Sequence, residues 1–111
     1  MERSVEELRI LAFTDELTGL RNRRFLRTRL SHYIDEASKS AGEVSLSILD
    51  LDGFKQINDT YGHLAGDYIL KVFAELFKES LGNDAIPVRF AGDEFVAIFN
   101  GKDKAFAKGV L

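Results

Sequence analysis

Apolar residues recur along this chain at two different periods, and the places where the period changes mark out its elements. Met1, Val5, Leu8 and Ala12 fall at spacings of 4, 3 and 4, which predicts an amphipathic helix over Met1–Phe13. Its stripe is narrow enough to continue a coiled linker from an upstream, for instance sensory, domain. The turn-rich run "TDELTGLRN" (14–22) breaks the pattern, with Asn22 placed to cap the next helix. Leu26, Leu30, Tyr33, Ile34 and Ala37 give that helix one apolar face, and "SKSAG" ends it. "VSLSILDL" (44–51) reads as a strand whose small Ser45 and Ser47 leave room for a helix to pack closely. A short helix near Phe54–Asp59 is followed by a longer one over His63–Leu81. The longer helix carries Ile69, Val72, Phe73 and Leu76 at helical spacing and stops at Gly82. Alternation then takes over. Ile86, Val88 and Phe90 precede Gly92-Asp93, and Phe95, Ala97 and Phe99 follow it, as in a hairpin of Ile86–Ala91 and Glu94–Phe99. Pro87 cannot donate to a ladder, so the first hairpin strand belongs at a sheet edge. The tail after Asn100 reads as the start of a further helix.

The order α-α-β-α-α-β-β predicts an α+β fold. Strand, helical crossover and hairpin form the first three strands of a βαββαβ, ferredoxin-like unit, without its last helix and strands.

Composition narrows the function more than the fold. At 111 residues the chain is one domain, and 45% apolar content with nine Phe supports a packed core. The absence of Cys excludes disulfides and thiolate metal sites. With 15 basic and 18 acidic side chains and a net charge of −3, no nucleic-acid partner is expected. No apolar run has the length of a membrane span and no leader opens the chain, so no membrane partner and a cytoplasmic location are expected.

The densest polar stretch, "LDLDGFKQINDTYGHLAGD" (49–67), begins where an apolar strand ends, the usual place for a ligand in an open sheet. If the second hairpin strand pairs antiparallel with the first strand, Asp50 and the Gly92-Asp93 tip converge. Strand alternation alone would send Asp93 and Glu94 to opposite faces. Carboxylates from two strands, with Lys55 close by, suit Mg²⁺ with phosphates. Asn58 and Asp67 have the donors and acceptors to read a base edge. Each residue also has a plainer reading. Asp50 and Asp52 can be strand-end acids, Lys55 and Asp59 a solvated i,i+4 pair, and His63 and Asp67 ordinary residues of a helix start. Gly92 can serve a turn's positive φ, and the basic run Arg21–Arg29 a solvated helix face. An EF-hand loop starting at Asp50 fails because Phe54 and Lys55 occupy positions that need a ligand and a Gly. No G-x-x-x-x-G-K-[ST] loop occurs.

Three motifs in this order, "DELTGLRNRRFL" (15–26), "DLDGFKQINDTYGHLAGD" (50–67) and "RFAGDEF" (89–95), resemble the GGDEF family of diguanylate cyclases. The resemblance implies a nucleotidyl cyclase palm over residues 14–111, preceded by a linker-type helix over 1–13. It implies condensation of two GTP into cyclic di-GMP and pyrophosphate by a head-to-tail homodimer with Mg²⁺ or Mn²⁺. Carried over position by position, Asp50, Asp93 and the backbone carbonyl of Leu51 resemble the metal ligands, and Asp93 and Glu94 the catalytic acids. Glu94 resembles the acid beside the attacking ribose 3′-hydroxyl, and Lys55 the phosphate-contacting lysine. Asn58 and Asp67 resemble the guanine readers, His63 a residue beside the nucleotide, and Gly92 a site of close backbone approach. Ala91 stands where the signature has its first Gly. Gly82-Asn83-Asp84-Ala85 stands where the family's inhibitory product site has Arg-x-x-Asp. The family's domain also continues past Leu111 with a Lys and an Arg that grip the triphosphate. Taken alone, this chain is therefore expected to make little or no cyclic di-GMP, to expose Phe99 or its neighbours, and to self-associate. The alternative is a non-catalytic GTP-binding or dimerisation module.

Overall fold

The computed structural model describes residues 4–40 and 42–100. The predicted tail helix and the first three residues of the N-terminal helix lie outside them. Helix α1 (Val5–Phe13) starts at Ser4, whose hydroxyl accepts a hydrogen bond from the Glu7 amide. Helix α2 (Arg23–Lys39) starts at Asn22, whose side chain accepts from the Phe25 amide, as the sequence predicts. Strand β1 (Val44–Asp50), helix α3 (Phe54–Tyr61), helix α4 (His63–Leu81) and the hairpin β2 (Ile86–Ala91) and β3 (Glu94–Asn100) follow.

The three strands form one antiparallel sheet in the order β1-β3-β2, so β2 with Pro87 lies at an edge. Central β3 has helices on both faces and is buried from Phe95 through Phe99. On one face, Leu70, Ala74, Phe77 and Leu81 of α4 pack on Phe95, Ala97 and Phe99. On the other, Phe25 and Leu26 of α2 pack on Val88, Val96 and Ile98. Ser45, Ser47 and Leu49 share the α4 side of β1. Leu46 and Ile48 point the other way and are exposed.

Two packing expectations change. α4 buries Leu70, Ala74, Phe77 and Leu81, while Val72 and Leu76 are exposed. Apolar residues surround much of this helix, so period alone does not choose the face; packing against Phe95, Ala97 and Phe99 of β3 does. Phe99 is fully buried beneath α4, and the exposed apolar groups among the described residues include Leu46, Ile48, Tyr68, Val72 and Leu76. No helix among the described residues is long and apolar enough to cross a membrane.

Candidate active site

Register places the acids. Asp50, the last residue of β1, pairs with Glu94, the first of β3, and the Leu51 amide donates to the Asp93 carbonyl at 3.1 Å. Asp50, Asp93 and Glu94 each present a carboxylate oxygen, and these oxygens lie within 4.8 Å of one another. The divergence expected of Asp93 and Glu94 is therefore not found. Asp93 belongs to the two-residue turn rather than to a strand, so alternation does not govern it. A bulge between Arg89 and Ala91 further re-aims the tip. Three like charges this close repel one another, and a hard divalent cation with oxygen ligands relieves that repulsion. The donor set fits Mg²⁺ or Mn²⁺. Glu94 joins it as a member that sequence reasoning assigned elsewhere.

The remaining candidates sit on α3 and α4, the helix pair that follows β1. Lys55 is exposed in the first turn of α3 and makes no ion pair with Asp59 among the described residues. His63 is exposed at the start of α4. Asn58 and Asp67 are half-buried, one on each helix, and the buried oxygen Oδ1 of Asn58 has no hydrogen-bond partner among the described residues. Gly92 has no positive φ, unlike Gly19, Gly53, Gly62 and Gly82, and a Cβ built on it meets nothing within 4 Å. Neither the turn nor packing among the described residues demands glycine there. Ala91 is an ordinary strand residue paired with Glu94.

Sequence reasoning assigned no role to Asp15 or Arg89. The Asp15 carboxylate accepts from the Thr18 amide at 2.9 Å and the Thr18 hydroxyl at 2.7 Å, closing the "DELTGL" loop on itself. Arg89 Nη1 lies 3.2 Å from both Asp15 oxygens, and Nε and Nη2 donate to the Gly92 carbonyl at 3.2 and 3.1 Å. Burial pushes the Asp15 carboxyl up, but the Thr18 bonds and the Arg89 guanidinium outweigh it and hold the group below the usual carboxylate range. The spacing of Asp15 and Thr18 is a local turn signal legible in sequence. The partnership with Arg89 is not. A cleft of about 460 Å³ opens away from the acids, lined by Arg21, Lys78, Ala85 and Pro87 among others. It holds none of the candidate site residues; of the acids, Asp50 is exposed while Asp93 and Glu94 are half-buried.

The family model described as "Diguanylate cyclase, GGDEF domain" matches residues 12–110. The chain belongs to the GGDEF family. Among curated relatives, this GGDEF domain is 44% identical over 96 residues to the diguanylate cyclase DgcS of Shewanella oneidensis, covering 86% of this chain and 32% of that protein. It is 42% identical over 96 residues to the cyclic di-GMP phosphodiesterase PdeR of Escherichia coli, covering 86% of this chain and 14% of that protein. Among solved structures, the coiled coil and GGDEF domain of DgcB from Caulobacter crescentus, in complex with c-di-GMP, superimposes with a TM-score of 0.88. The two are 30% identical, and the match covers 96% of this chain and 56% of that one. The GGDEF domain thus spans about a third or less of the length of these curated relatives.

Proposed function

We propose that this GGDEF domain is the catalytic part of a diguanylate cyclase, which joins two GTP into cyclic di-GMP with release of two pyrophosphates. The observation that carries the proposal is the convergence of Asp50, Asp93 and Glu94 at the end of β1, next to the helix pair bearing Lys55, Asn58 and Asp67. Asp50, Asp93 and the Leu51 carbonyl would hold Mg²⁺ or Mn²⁺, with Glu94 within reach. The ion supplies charge neutralisation at the phosphates. In each half-reaction a ribose 3′-oxygen bonds to the α-phosphorus of the other nucleotide, and pyrophosphate leaves. Glu94 would take the proton from that hydroxyl, and Lys55 would meet the phosphates with a mobile point charge. Asn58 and Asp67, half-buried on α3 and α4, would offer an amide and a carboxylate to the guanine edge. Gly92, glycine without an internal reason, suits a backbone that a nucleotide approaches closely. Two such domains must face each other, because each holds one nucleotide.

The test is product formation by the whole protein that carries this domain, supplied with GTP and Mg²⁺. Cyclic di-GMP is expected, and Asp93→Ala should abolish it while leaving the fold intact. Product undiminished by that substitution would reject the assignment. The runner-up, a GTP-binding module without turnover, is favoured by the likeness to a relative named for phosphodiesterase activity. It predicts Mg²⁺-dependent GTP binding and no product.

A further inference from the structure

We infer that Gly66 is a positioning residue for nucleotide specificity, because its missing side chain is what lets Asn58 lie where it does. The inference deepens the nucleotide reading above and rests on it.

Gly66 is buried in the first turns of α4, where α3 packs against it. Its φ is not positive, so the backbone does not require glycine there. Alanine forms helix better than glycine, so on backbone grounds the position would favour a Cβ. Space forbids it. A Cβ at Gly66 would overlap Asn58 Oδ1, would stand 2.9 Å from Asn58 Cγ, and would stand 3.2 Å from Phe54 Cζ. The first two contacts are closer than real Cβ atoms tolerate. Both involve the Asn58 side chain, so it is the Asn58 amide that must move to admit a Cβ.

The same Asn58 oxygen is buried and has no hydrogen-bond partner among the described residues. Such a group costs free energy, so the Asn58 amide is held at Gly66 by packing and not by a hydrogen bond of its oxygen. Gly66 also immediately precedes Asp67. The two residues assigned to the base edge are thus tied to one point on α4: one by sequence, the other by a contact only glycine permits. A methyl group at position 66 would push the Asn58 amide off its position while leaving Asp50, Asp93, Glu94 and Lys55 untouched. The predicted effect falls on base discrimination and spares metal and phosphate binding.

The experiment measures equilibrium binding of GTP and ATP, with Mg²⁺, to the full chain and to Gly66→Ala, Asn58→Ala and the double variant. Thermal midpoints are recorded in parallel. The parent should favour GTP over ATP, and Gly66→Ala should lower that preference by about tenfold, with ATP affinity unchanged. In the Asn58→Ala background the second substitution should cost nothing more, because the displaced group is already gone; that non-additivity is a readout a merely structural role would not produce. Should Gly66→Ala alone fold poorly, the double variant should recover the parent's midpoint. A parent that prefers GTP and a Gly66→Ala variant that keeps the full preference would overturn this inference alone. Full additivity in the double variant would do the same. A parent that binds GTP and ATP alike overturns the nucleotide reading, and this inference with it.

Discussion

Arg89 joins Asp15 across 74 positions of sequence, with Nη1 3.2 Å from both carboxylate oxygens, and the same guanidinium holds the carbonyl of Gly92. Both side chains are mostly buried, at 18% and 19% exposure, so solvent screens the pair only in part. One planar fork thus fixes the "DELTGL" loop to the turn that presents Asp93. The Arg89 amide reinforces this by donating to the Arg21 carbonyl at 2.8 Å.

Arg89→Ala is therefore expected to destabilise the domain by about 1–3 kcal/mol, the usual consequence of leaving a part-buried carboxylate without its charged partner. Arg89→Lys should recover only part of this, since an ammonium cannot serve the carboxylate and the turn carbonyl with one rigid fork. Urea unfolding measures the first effect. Divalent-cation titration measures the second, where a looser turn should weaken binding. A Lys variant equal to the parent in both would contradict this account.

The depressed Asp15 carboxyl makes stability depend on pH with a definite sign. Its contribution is fully present above the unfolded value of about 4 and is lost as pH falls through the lower folded value. Asp15→Asn lacks that component. The stability difference between parent and Asp15→Asn should be flat from neutral pH down to about pH 5 and shrink below about pH 4. Denaturation series at matched ionic strength read it directly. A difference that grew on acidification would have the wrong sign.

Mutual repulsion among Asp50, Asp93 and Glu94 predicts two linked effects. Without divalent cations, Asp93→Asn should raise the thermal midpoint at low salt, and the gain should fade in 1 M salt, where screening reaches about 3 Å. With Mg²⁺ or Mn²⁺ the order should reverse, since the parent gains stability from the bound ion and the variant gains less. Calorimetric scans with cation and then chelator would show both. Identical scans under all conditions would remove the metal assignment.

The outer edge of β1 carries no partner strand among the described residues, and Ile48 beside it is 73% exposed. An apolar edge of this kind templates pairing with another chain. The chain taken alone should self-associate at tens of micromolar, and Ile48→Lys should reduce that association without lowering the thermal midpoint. Light scattering decides it. A parent that stays monomeric over that range would refute the prediction.

Much of the fold was legible because local signals and the global arrangement agree. α4 runs from His63 to Leu81 as expected because a glycine stands just outside each end. The β2–β3 hairpin follows from a two-residue turn between alternating runs, and that turn sets the register bringing Ala91 opposite Glu94. Asn22 caps α2 because its short side chain satisfies an amide three residues on.

What the amino-acid order determined by itself was therefore every element whose cause lies within a few residues, together with the motifs that mark the family. Tertiary structure alone decided the rest. The face of α4 that is buried depended on its packing against Phe95, Ala97 and Phe99 of β3. Asp93 and Glu94 met because a turn residue escapes the alternation that binds its strand neighbour. Arg89 found Asp15, and Gly66 made room for Asn58, through contacts between separate elements. Periodicity and capping act through bonds a turn apart, whereas these contacts exist only once the core has packed, and no local pattern in the chain encodes them.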